Sequence, residues 1–380
     1  MSKRPPAPRR RTLPGDVRAF ELASLIQQAQ GLFAAGQYGK AARAAEEACR
    51  RSPDEPAALI VLARIAHRTG ATEVAANLYG RVLKADARNA AAHAGLGDVQ
   101  ASGRNWAAAV ESFARATSLD PTQARYCAGL GAAQTALGRR DEAAASFRRA
   151  KAIDPNHKLA SYMLDGLDGG GGAVQANYVR AMFDGYAHAF EKHLVETLQY
   201  RIPWVIADAV IALHPDPFAA ALDLGCGTGL VGDALTAAQV PVIDGIDLSP
   251  RMIEETRKKG RYRSLHVDDI VQAMDRPEVR SAGYDLLVAA DVFIYVGDLQ
   301  AVFARAREVL RPGGLFAFSL EHGEADGFAI QASSRYAHGE GYTAGLAGQA
   351  GFVLPTKRHV ALRQESKVDI AGRIEIWRRS

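Results

Sequence analysis

The sequence predicts two domains of different fold class: an α-helical solenoid of paired helices, followed by an α/β domain with an open, mostly parallel sheet. Small and large residues recur every 34 residues across positions 22–157, which is typical of helix-pair repeats. Beyond position 178, apolar runs alternate with helix-like segments, and several runs end in an acidic residue. Parallel strands bring such carboxyl ends together at a ligand crevice. A chain of 380 residues is also too long for one ordinary core.

The start of the chain is basic, and the rest is close to neutral. Residues 1–11 hold five basic residues among three prolines, whereas the whole chain has a formal net charge of +4. We expect a disordered basic tail over 1–18. Without a basic stripe elsewhere, we expect no nucleic-acid partner.

Composition predicts a globular protein that stays in the cytoplasm. No apolar run has the length of a membrane span, and no signal-peptide core follows the first residues. The three cysteines have no metal-ligand spacing, so we expect no metal site and a reducing compartment.

The repeat region combines several columns of the same period. One column is a helix-packing alanine (Ala41, Ala75, Ala109 and Ala143), and a second is another small residue (Ala29, Ala63, Gly97 and Gly131). A third is a large aromatic residue (Tyr79, Phe113 and Phe147), and a fourth is a turn residue (Pro53, Ala87, Pro121 and Pro155). Gly36, Gly70 and Gly138 keep the step as well, with Gly103 one residue early. Together these columns resemble four tetratricopeptide (TPR) repeats.

The resemblance implies a concave surface that holds a protein partner or a second copy, although a purely structural role remains open. The stripe over 158–168 predicts a helix that caps the stack, which places the repeat domain at 19–168. Four glycines at 169–172 then predict a linker over 169–176, ahead of a second domain over 177–380.

A glycine-rich turn at 221–230 is the strongest functional signal. The apolar run ends in Asp223, and Gly225, Gly227 and Gly229 alternate after it, which predicts a strand that turns sharply into a helix. A dinucleotide turn would need a third glycine where Leu230 stands. A carboxylate at this strand end also suits an ammonium group better than a diphosphate. The spacing D-x-G-x-G-x-G resembles the class I S-adenosylmethionine (SAM)-dependent methyltransferases, with a turn that binds no ligand as the alternative.

Later motifs extend this resemblance to a Rossmann-like class I methyltransferase domain with a mostly parallel, seven-stranded sheet. Asp247 ends the next apolar run about 20 residues on, where a carboxylate can accept both ribose hydroxyls. Leu248 and Met252 are spaced to enclose an adenine ring, and the resemblance implies an acid against the adenine amino group, Asp269 or else Asp268. Asp291 ends the fourth run and is assigned to the cofactor's edge. A fifth strand is predicted at 315–321 after a turn at 311–314, and an antiparallel pair at 360–363 and 374–377.

An aromatic stripe over 178–198 predicts one helix ahead of the glycine turn. Its segment 183–194 resembles the opening helix of many small-molecule methyltransferases, which covers the cofactor pocket. Tyr186 and Phe190 are the expected pocket-facing residues, whereas the alternative places the stripe in the core.

The resemblance implies methyl transfer from SAM, a displacement that depends on positioning and needs a base only if the acceptor carries its proton. No spacing selects among four candidate bases, which are His193, Asp291, Tyr295 and His338. The favoured hypothesis is an enzyme for a small-molecule or metabolite acceptor, with the repeats as an interaction or assembly module. The alternatives are a protein methyltransferase whose repeats hold its substrate and a non-catalytic adaptor.

Overall fold

The computed structural model describes residues 15–169, 173–214, 216–323, 326–365 and 368–380. The chain divides into two compact units, Met1–Pro155 and Asn156–Ser380. Most of the expected basic tail lies outside the described residues. Within them, no helix combines the length and the apolar character that crossing a bilayer requires.

The first unit consists of four consecutive helix pairs among its described residues. They are α1 (Gly15–Ala34), α2 (Tyr38–Arg51), α3 (Pro56–Arg68), α4 (Thr72–Ala85), α5 (Ala90–Ser102), α6 (Trp106–Leu119), α7 (Ala124–Ala136) and α8 (Arg140–Ile153). The aromatic column packs on small residues of the neighbouring helix. A Cβ added at Gly97 would lie 3.0 Å from the Phe113 ring, and one at Gly131 would lie 2.9 Å from the Phe147 ring. The predicted repeat packing is therefore confirmed.

The turn between the two helices of each repeat has a glycine with a positive φ in three repeats and an arginine in the other. Gly36, Gly70 and Gly138 have φ values of +72°, +82° and +72°, and Arg104 occupies the equivalent turn with a φ of +59°. Gly103, in contrast, has a φ of −81°. The third repeat therefore places an arginine in the left-handed conformation, which costs an L-residue about 1 kcal/mol.

The second unit alternates helices with strands. Its helices are α9 (Lys158–Leu167), α10 (Ala173–Asp184), α11 (Ala187–Lys192), α12 (Ile202–Leu213), α13 (Leu230–Ala237), α14 (Pro250–Lys259), α15 (Ile270–Met274), α16 (Pro277–Arg280), α17 (Gln300–Val309) and α18 (Glu340–Gln349). Its strands are β1 (Ala221–Leu224), β2 (Ile243–Asp247), β3 (Ser264–Val267), β4 (Tyr284–Ala289), β5 (Leu310–His322), β6 (Phe328–Ile330), β7 (Tyr336–His338), β8 (Phe352–Glu365) and β9 (Val368–Arg379).

The strands form one mixed sheet with the predicted parallel core. β3, β2, β1, β4 and β5 are neighbours in that order and run parallel. β9 pairs antiparallel with β5, and β8 pairs antiparallel with β9, so the predicted closing pair is confirmed. The β6–β7 hairpin, which the sequence analysis missed, extends the end of β5. The turn expected at 311–314 lies inside β5, where the pairing with β4 shifts register.

Helices cover both faces of this sheet. On β5, Phe316 and Phe318 pack in a cluster with Phe303 of α17, while Leu315 and Ala317 face a second cluster. Alternate residues of a strand point to opposite faces, so a strand covered on both sides is apolar throughout.

Helix α9 belongs to the second unit, which corrects the predicted domain boundary. The Tyr162 hydroxyl donates to the Ser334 carbonyl at 3.0 Å, and the Tyr162 ring stacks on Tyr178 with 4.5 Å between centroids. A Cβ at Gly166 would lie 2.6 Å from the Ile330 side chain. The apolar stripe of α9, which predicted a cap for the repeats, therefore packs against α10 and the β6–β7 hairpin. Residues 170–172 of the predicted linker lie outside the described residues.

The helix predicted over 178–198 is broken in the structure. α10 ends at Asp184, α11 begins at Ala187, and a π-helical turn occupies His193–Thr197. Gly185 lies at the first break, where the helical hydrogen-bond pattern gives way to a turn bond from the Tyr186 amide to the Phe183 carbonyl. The aromatic period continues across the break, which is why the pattern alone suggested one helix.

Candidate cofactor and acceptor site

The glycine turn joins β1 to α13 through three residues in the left-handed region. Gly225, Gly227 and Gly229 have φ values of +70°, +53° and +89°, which explains the need for glycine at alternate positions. A Cβ at Gly225 would lie 2.6 Å from Val292, whereas a Cβ at Gly227 would have, of the residues that the structure describes, only the Phe190 ring within 4 Å, at 3.7 Å. The backbone at Gly227 is therefore open to a ligand on the side of Phe190.

Asp223 ends β1 as a buried carboxylate with one oxygen unsatisfied. Its Oδ2 accepts a hydrogen bond from the Tyr262 hydroxyl at 2.6 Å, but its Oδ1 has no partner among the described residues, and neither does the buried Thr228 hydroxyl. Burial raises the pKa of Asp223 to about 7, against the lowering effect of the Tyr262 hydrogen bond. An unsatisfied buried carboxylate oxygen fits a ligand that brings a donor, above all an ammonium group.

Asp247 ends the neighbouring strand β2 and supports the glycine turn. Its Oδ2 accepts from the Gly227 amide at 2.9 Å and its Oδ1 from the Ser249 amide at 2.8 Å. Burial raises the pKa of this carboxyl to about 6. Each oxygen retains a second acceptor position, so the residue can still receive the two hydroxyls of a ribose.

The segment after Asp247 begins helix α14, as the sequence predicted. The Ser249 hydroxyl caps α14 by accepting from the Met252 amide at 3.2 Å; Met252 is buried and Leu248 half-buried. The same hydroxyl donates to Asp184 of α10 at 2.6 Å. This link between α10 and the start of α14 was not predicted, since Asp184 and Ser249 are far apart in sequence.

Asp268 and Asp269 both have local partners. Asp268 pairs with Arg276, whose Nε lies 2.9 Å away. Asp269 caps α15 by accepting from the amides of Val271 and Gln272 at 2.9 and 3.3 Å. A role for either carboxylate at an adenine amino group stays a prediction.

Asp291 follows β4 in a constrained and charged environment. Its φ is +56°, its amide donates to the Ser319 hydroxyl at 2.8 Å, and that hydroxyl donates back to Oδ1 at 2.9 Å. Nη1 of Arg363 donates to Oδ2 at 3.1 Å. Burial raises the pKa of Asp291, and the guanidinium of Arg363 opposes the rise. Arg363 is buried and also pairs with Glu321 and Glu365, so it joins acids from β5 and β8 to the residue after β4.

The other candidate bases differ in their surroundings. Burial raises the pKa of Tyr295, whose hydroxyl interacts with Arg335. His338 lies with Nε2 at 2.9 and 3.0 Å from the carbonyls of Gly297 and Val296, so this nitrogen carries the proton. Burial lowers the pKa of His338 to about 4, which favours a structural, neutral imidazole. The side chain of His193 lies outside the described residues.

The aromatic segment forms an edge-to-face cluster beside the glycine turn. The Phe183 ring lies 5.6 Å from Phe190 and 5.3 Å from Tyr295, and Tyr186 lies 5.7 Å from Phe190. Two side-chain contacts attach α11 to α14: Nδ1 of His188 lies 2.8 Å from Glu255, and Glu191 forms an ion pair with Lys259 at 2.8 Å. Phe190 is the member nearest to Gly227. The geometry is compatible with a cover over the cofactor site.

Comparison with known proteins supports the same division. Residues 222–316 match a family model described as a methyltransferase domain, and residues 32–99 and 104–158 match two tetratricopeptide repeat models.

Similar proteins are themselves methyltransferases by name. A malonyl-[acyl-carrier protein] O-methyltransferase from Halalkalibacterium halodurans is 28% identical over 151 residues, which is 38% of this chain and 55% of that protein. An aklanonic acid methyltransferase from Streptomyces sp. is 33% identical over 26% of this chain and 46% of its own length. A ubiquinone biosynthesis O-methyltransferase from Xylella fastidiosa is 30% identical over 37% of this chain and 59% of its own. The chain thus spans about half the length of the curated relatives that it matches.

Both assignments made from sequence motifs are confirmed by these matches. The protein carries tetratricopeptide repeats followed by a methyltransferase domain.

Proposed function

We propose that the second unit binds SAM and transfers its methyl group to a small-molecule acceptor. The unsatisfied Oδ1 of Asp223 beside the glycine turn carries the proposal. A buried acceptor without a partner costs free energy in the unbound protein, and a ligand ammonium would remove that cost.

Three sets of residues would hold the cofactor. Asp223 would receive the ammonium group, and the open backbone at Gly227 would allow close approach of the ligand. Asp247 would accept the ribose hydroxyls, with its position fixed by the amides of Gly227 and Ser249. Met252 and Leu248 would enclose the adenine.

The cofactor supplies an electrophilic methyl group on a sulfonium. When bound, it would donate this methyl group to the acceptor's nucleophile and would leave as a neutral thioether. The contribution of the chain would be to orient the acceptor and to exclude water, and the cluster of Phe183, Phe190 and Tyr295 beside the glycine turn supports this role. Where the nucleophile carries a proton, Asp291 is the candidate to receive it, because its pKa is raised.

The aromatic cover favours a small organic acceptor with a flat or apolar surface. Rings arranged edge to face present both edges and faces to a guest. The names of the relatives refer to aklanonic acid, to ubiquinone biosynthesis and to a malonyl group on an acyl-carrier protein, which supports an organic acceptor of this kind. The repeats would then serve as an interaction or assembly module.

Incubation with methyl-labelled SAM and fractionated cell extract tests the proposal. We expect the label in small metabolites, and we expect Asp247→Ala to abolish it. A chain that starts at residue 156 should retain this turnover. Label that enters protein only, and only when residues 1–155 are present, would favour the alternative of a protein methyltransferase.

A further inference from the structure

Tyr262, between α14 and β3, is a polar residue of the site that sequence motifs do not reveal. Its hydroxyl donates to Oδ2 of Asp223 at 2.6 Å and accepts from the Gly232 amide at 2.9 Å. One hydroxyl therefore joins the end of β1 to the first turn of α13, the two elements that flank the glycine turn.

Three glycines surround the ring of Tyr262, and at least one of them leaves space that a side chain would fill. A Cβ at Gly232 would lie 2.4 Å from the ring, one at Gly245 3.0 Å and one at Gly229 3.4 Å. Gly232 has no turn to make inside α13, and Gly245 lies within β2. The lack of a side chain at Gly232 is explained by the space that the tyrosine needs, and at Gly245 the tyrosine shares this requirement with Leu265, which would lie 2.9 Å from the added Cβ.

We propose that Tyr262 is a positioning residue for cofactor binding, which holds the carboxylate of Asp223 so that Oδ1 remains available for the ligand's ammonium group. The inference rests on the proposed function. The two carboxylate oxygens of Asp223 then have different roles: Oδ2 is held by the tyrosine, and Oδ1, which has no partner in the part of the chain that the structure describes, is left for the ligand. Without the hydroxyl, the carboxylate would be less constrained in orientation and would lose the one hydrogen-bond donor that it has among the described residues.

The proposal predicts a pH signature. Asp223 faces Tyr262 ahead of β3, Asp247 at the end of β2, Cys226 in the glycine turn and Tyr200 ahead of α12. None of these groups is a cation, so Tyr262 is the group that opposes the effect of burial. Loss of its hydroxyl raises the pKa of Asp223 further. As the pH is lowered, the variant would therefore lose the negative charge of Asp223 at a higher pH than the wild type does, and its affinity for an ammonium-bearing ligand would fall from that higher pH.

Two ligands and two variants test this by calorimetry between pH 6 and 8.5. S-adenosylhomocysteine carries the ammonium group, and 5′-methylthioadenosine shares its adenosine and thioether but lacks the amino acid. Tyr262→Phe keeps the ring and removes the hydroxyl. Tyr284→Phe is the matched control, because this buried tyrosine donates to Asp244 at 2.9 Å, away from the turn.

We expect Tyr262→Phe to weaken S-adenosylhomocysteine binding about tenfold at pH 7.5, as for the loss of one hydrogen bond to a charged group. The loss should grow toward pH 6, and 5′-methylthioadenosine binding should change less than twofold. Tyr284→Phe should bind both ligands as the wild type does. In the background of Asp223→Asn, which has no charge to hold, Tyr262→Phe should cost little more.

Different results would overturn different claims. Equal weakening of both ligands, or an unchanged pH profile, would reduce Tyr262 to a structural residue. Unchanged binding of S-adenosylhomocysteine would refute the inference outright. A wild-type chain that binds neither ligand would instead refute the proposed function.

Discussion

Asp223→Asn should stabilise the ligand-free protein at pH 8 while it weakens cofactor binding. The carboxyl is fully buried and its pKa is raised from 3.8 to about 7, with burial as the main cause. The folded state therefore holds an additional proton between these values, and its stability falls as the pH rises toward 7. At pH 8 the protein pays for a buried charge that asparagine does not carry.

The shift sets the size of the expected effect. A rise of about three pKa units corresponds to about 4 kcal/mol at pH 8, at 1.36 kcal/mol per unit. Asparagine keeps an oxygen for Tyr262 but places an amide nitrogen where Oδ1 has no partner, and an unsatisfied buried group costs about 1–3 kcal/mol. The net stabilisation should therefore be about 1–3 kcal/mol at pH 8, and it should be smaller by about 2 kcal/mol at pH 5.5, because the charge penalty declines between the folded-state pKa of about 7 and the ordinary value of 3.8.

Calorimetric unfolding of both proteins from pH 5.5 to 8 measures this difference in the transition of the second unit. Asp244→Asn is the matched control, because Arg263, Ser264 and Tyr284 bind that carboxylate and lower its pKa; it should destabilise at every pH in the range. A variant at position 223 that is less stable than the wild type at pH 8, or whose difference does not depend on pH, would refute the reasoning about Asp223.

Three further changes test other parts of the molecule. Asp247→Ala should weaken S-adenosylhomocysteine binding by about 1–3 kcal/mol for each charged hydrogen bond lost, and unchanged affinity in calorimetry would exclude the ribose role. Arg104→Gly should raise the free energy of unfolding of the repeats by about 0.5–1 kcal/mol in denaturant titration, because a positive φ is unstrained in glycine; a loss of stability would contradict this. Replacing Tyr186 and Phe190 together with Ala should lower acceptor turnover with little change in the Tm of the free protein, and hydrogen exchange over 183–194 should slow when S-adenosylhomocysteine binds. If the exchange rate over 183–194 does not change when the ligand binds, and the double variant has a much lower Tm than the wild type, both rings belong to the core.

Local requirements of the backbone made much of this fold predictable. The glycines of the turn were recognisable because φ values from +53° to +89° require them. The repeats were recognisable because three of the four helix pairs bury an aromatic residue, Tyr79, Phe113 or Phe147, against small residues of a neighbouring helix at a constant step of 34 residues. Asp223 and Asp247 were predicted as site residues because each ends an apolar run at a characteristic distance in sequence from the glycine turn.

Contacts between distant segments could not be predicted in this way. Tyr262 meets Asp223 across 39 residues, Asp184 meets Ser249 across 65, and Arg363 meets Asp291 across 72. None of these pairs has a local period or spacing. The assignment of α9 failed for a related reason, since an apolar stripe shows that a helix is covered on one side but does not identify the neighbour that covers it.

The distribution of unfavourable features argues against a purely structural role for the second unit. Asp223 and Asp247 are buried with raised pKa values, and Asp291 combines a raised pKa with a positive φ. All three stand at or just beyond the carboxyl ends of adjacent parallel strands, β2, β1 and β4. Elsewhere in the same sheet, the buried Asp244 is fully paired and its pKa is lowered, so the fold is able to satisfy an acid where nothing needs to bind. A domain kept only as an adaptor would gain stability from a neutral residue at position 223, where one carboxylate oxygen has no partner among the described residues. The cost of retaining that acid is understandable if a ligand with an ammonium donor compensates for it.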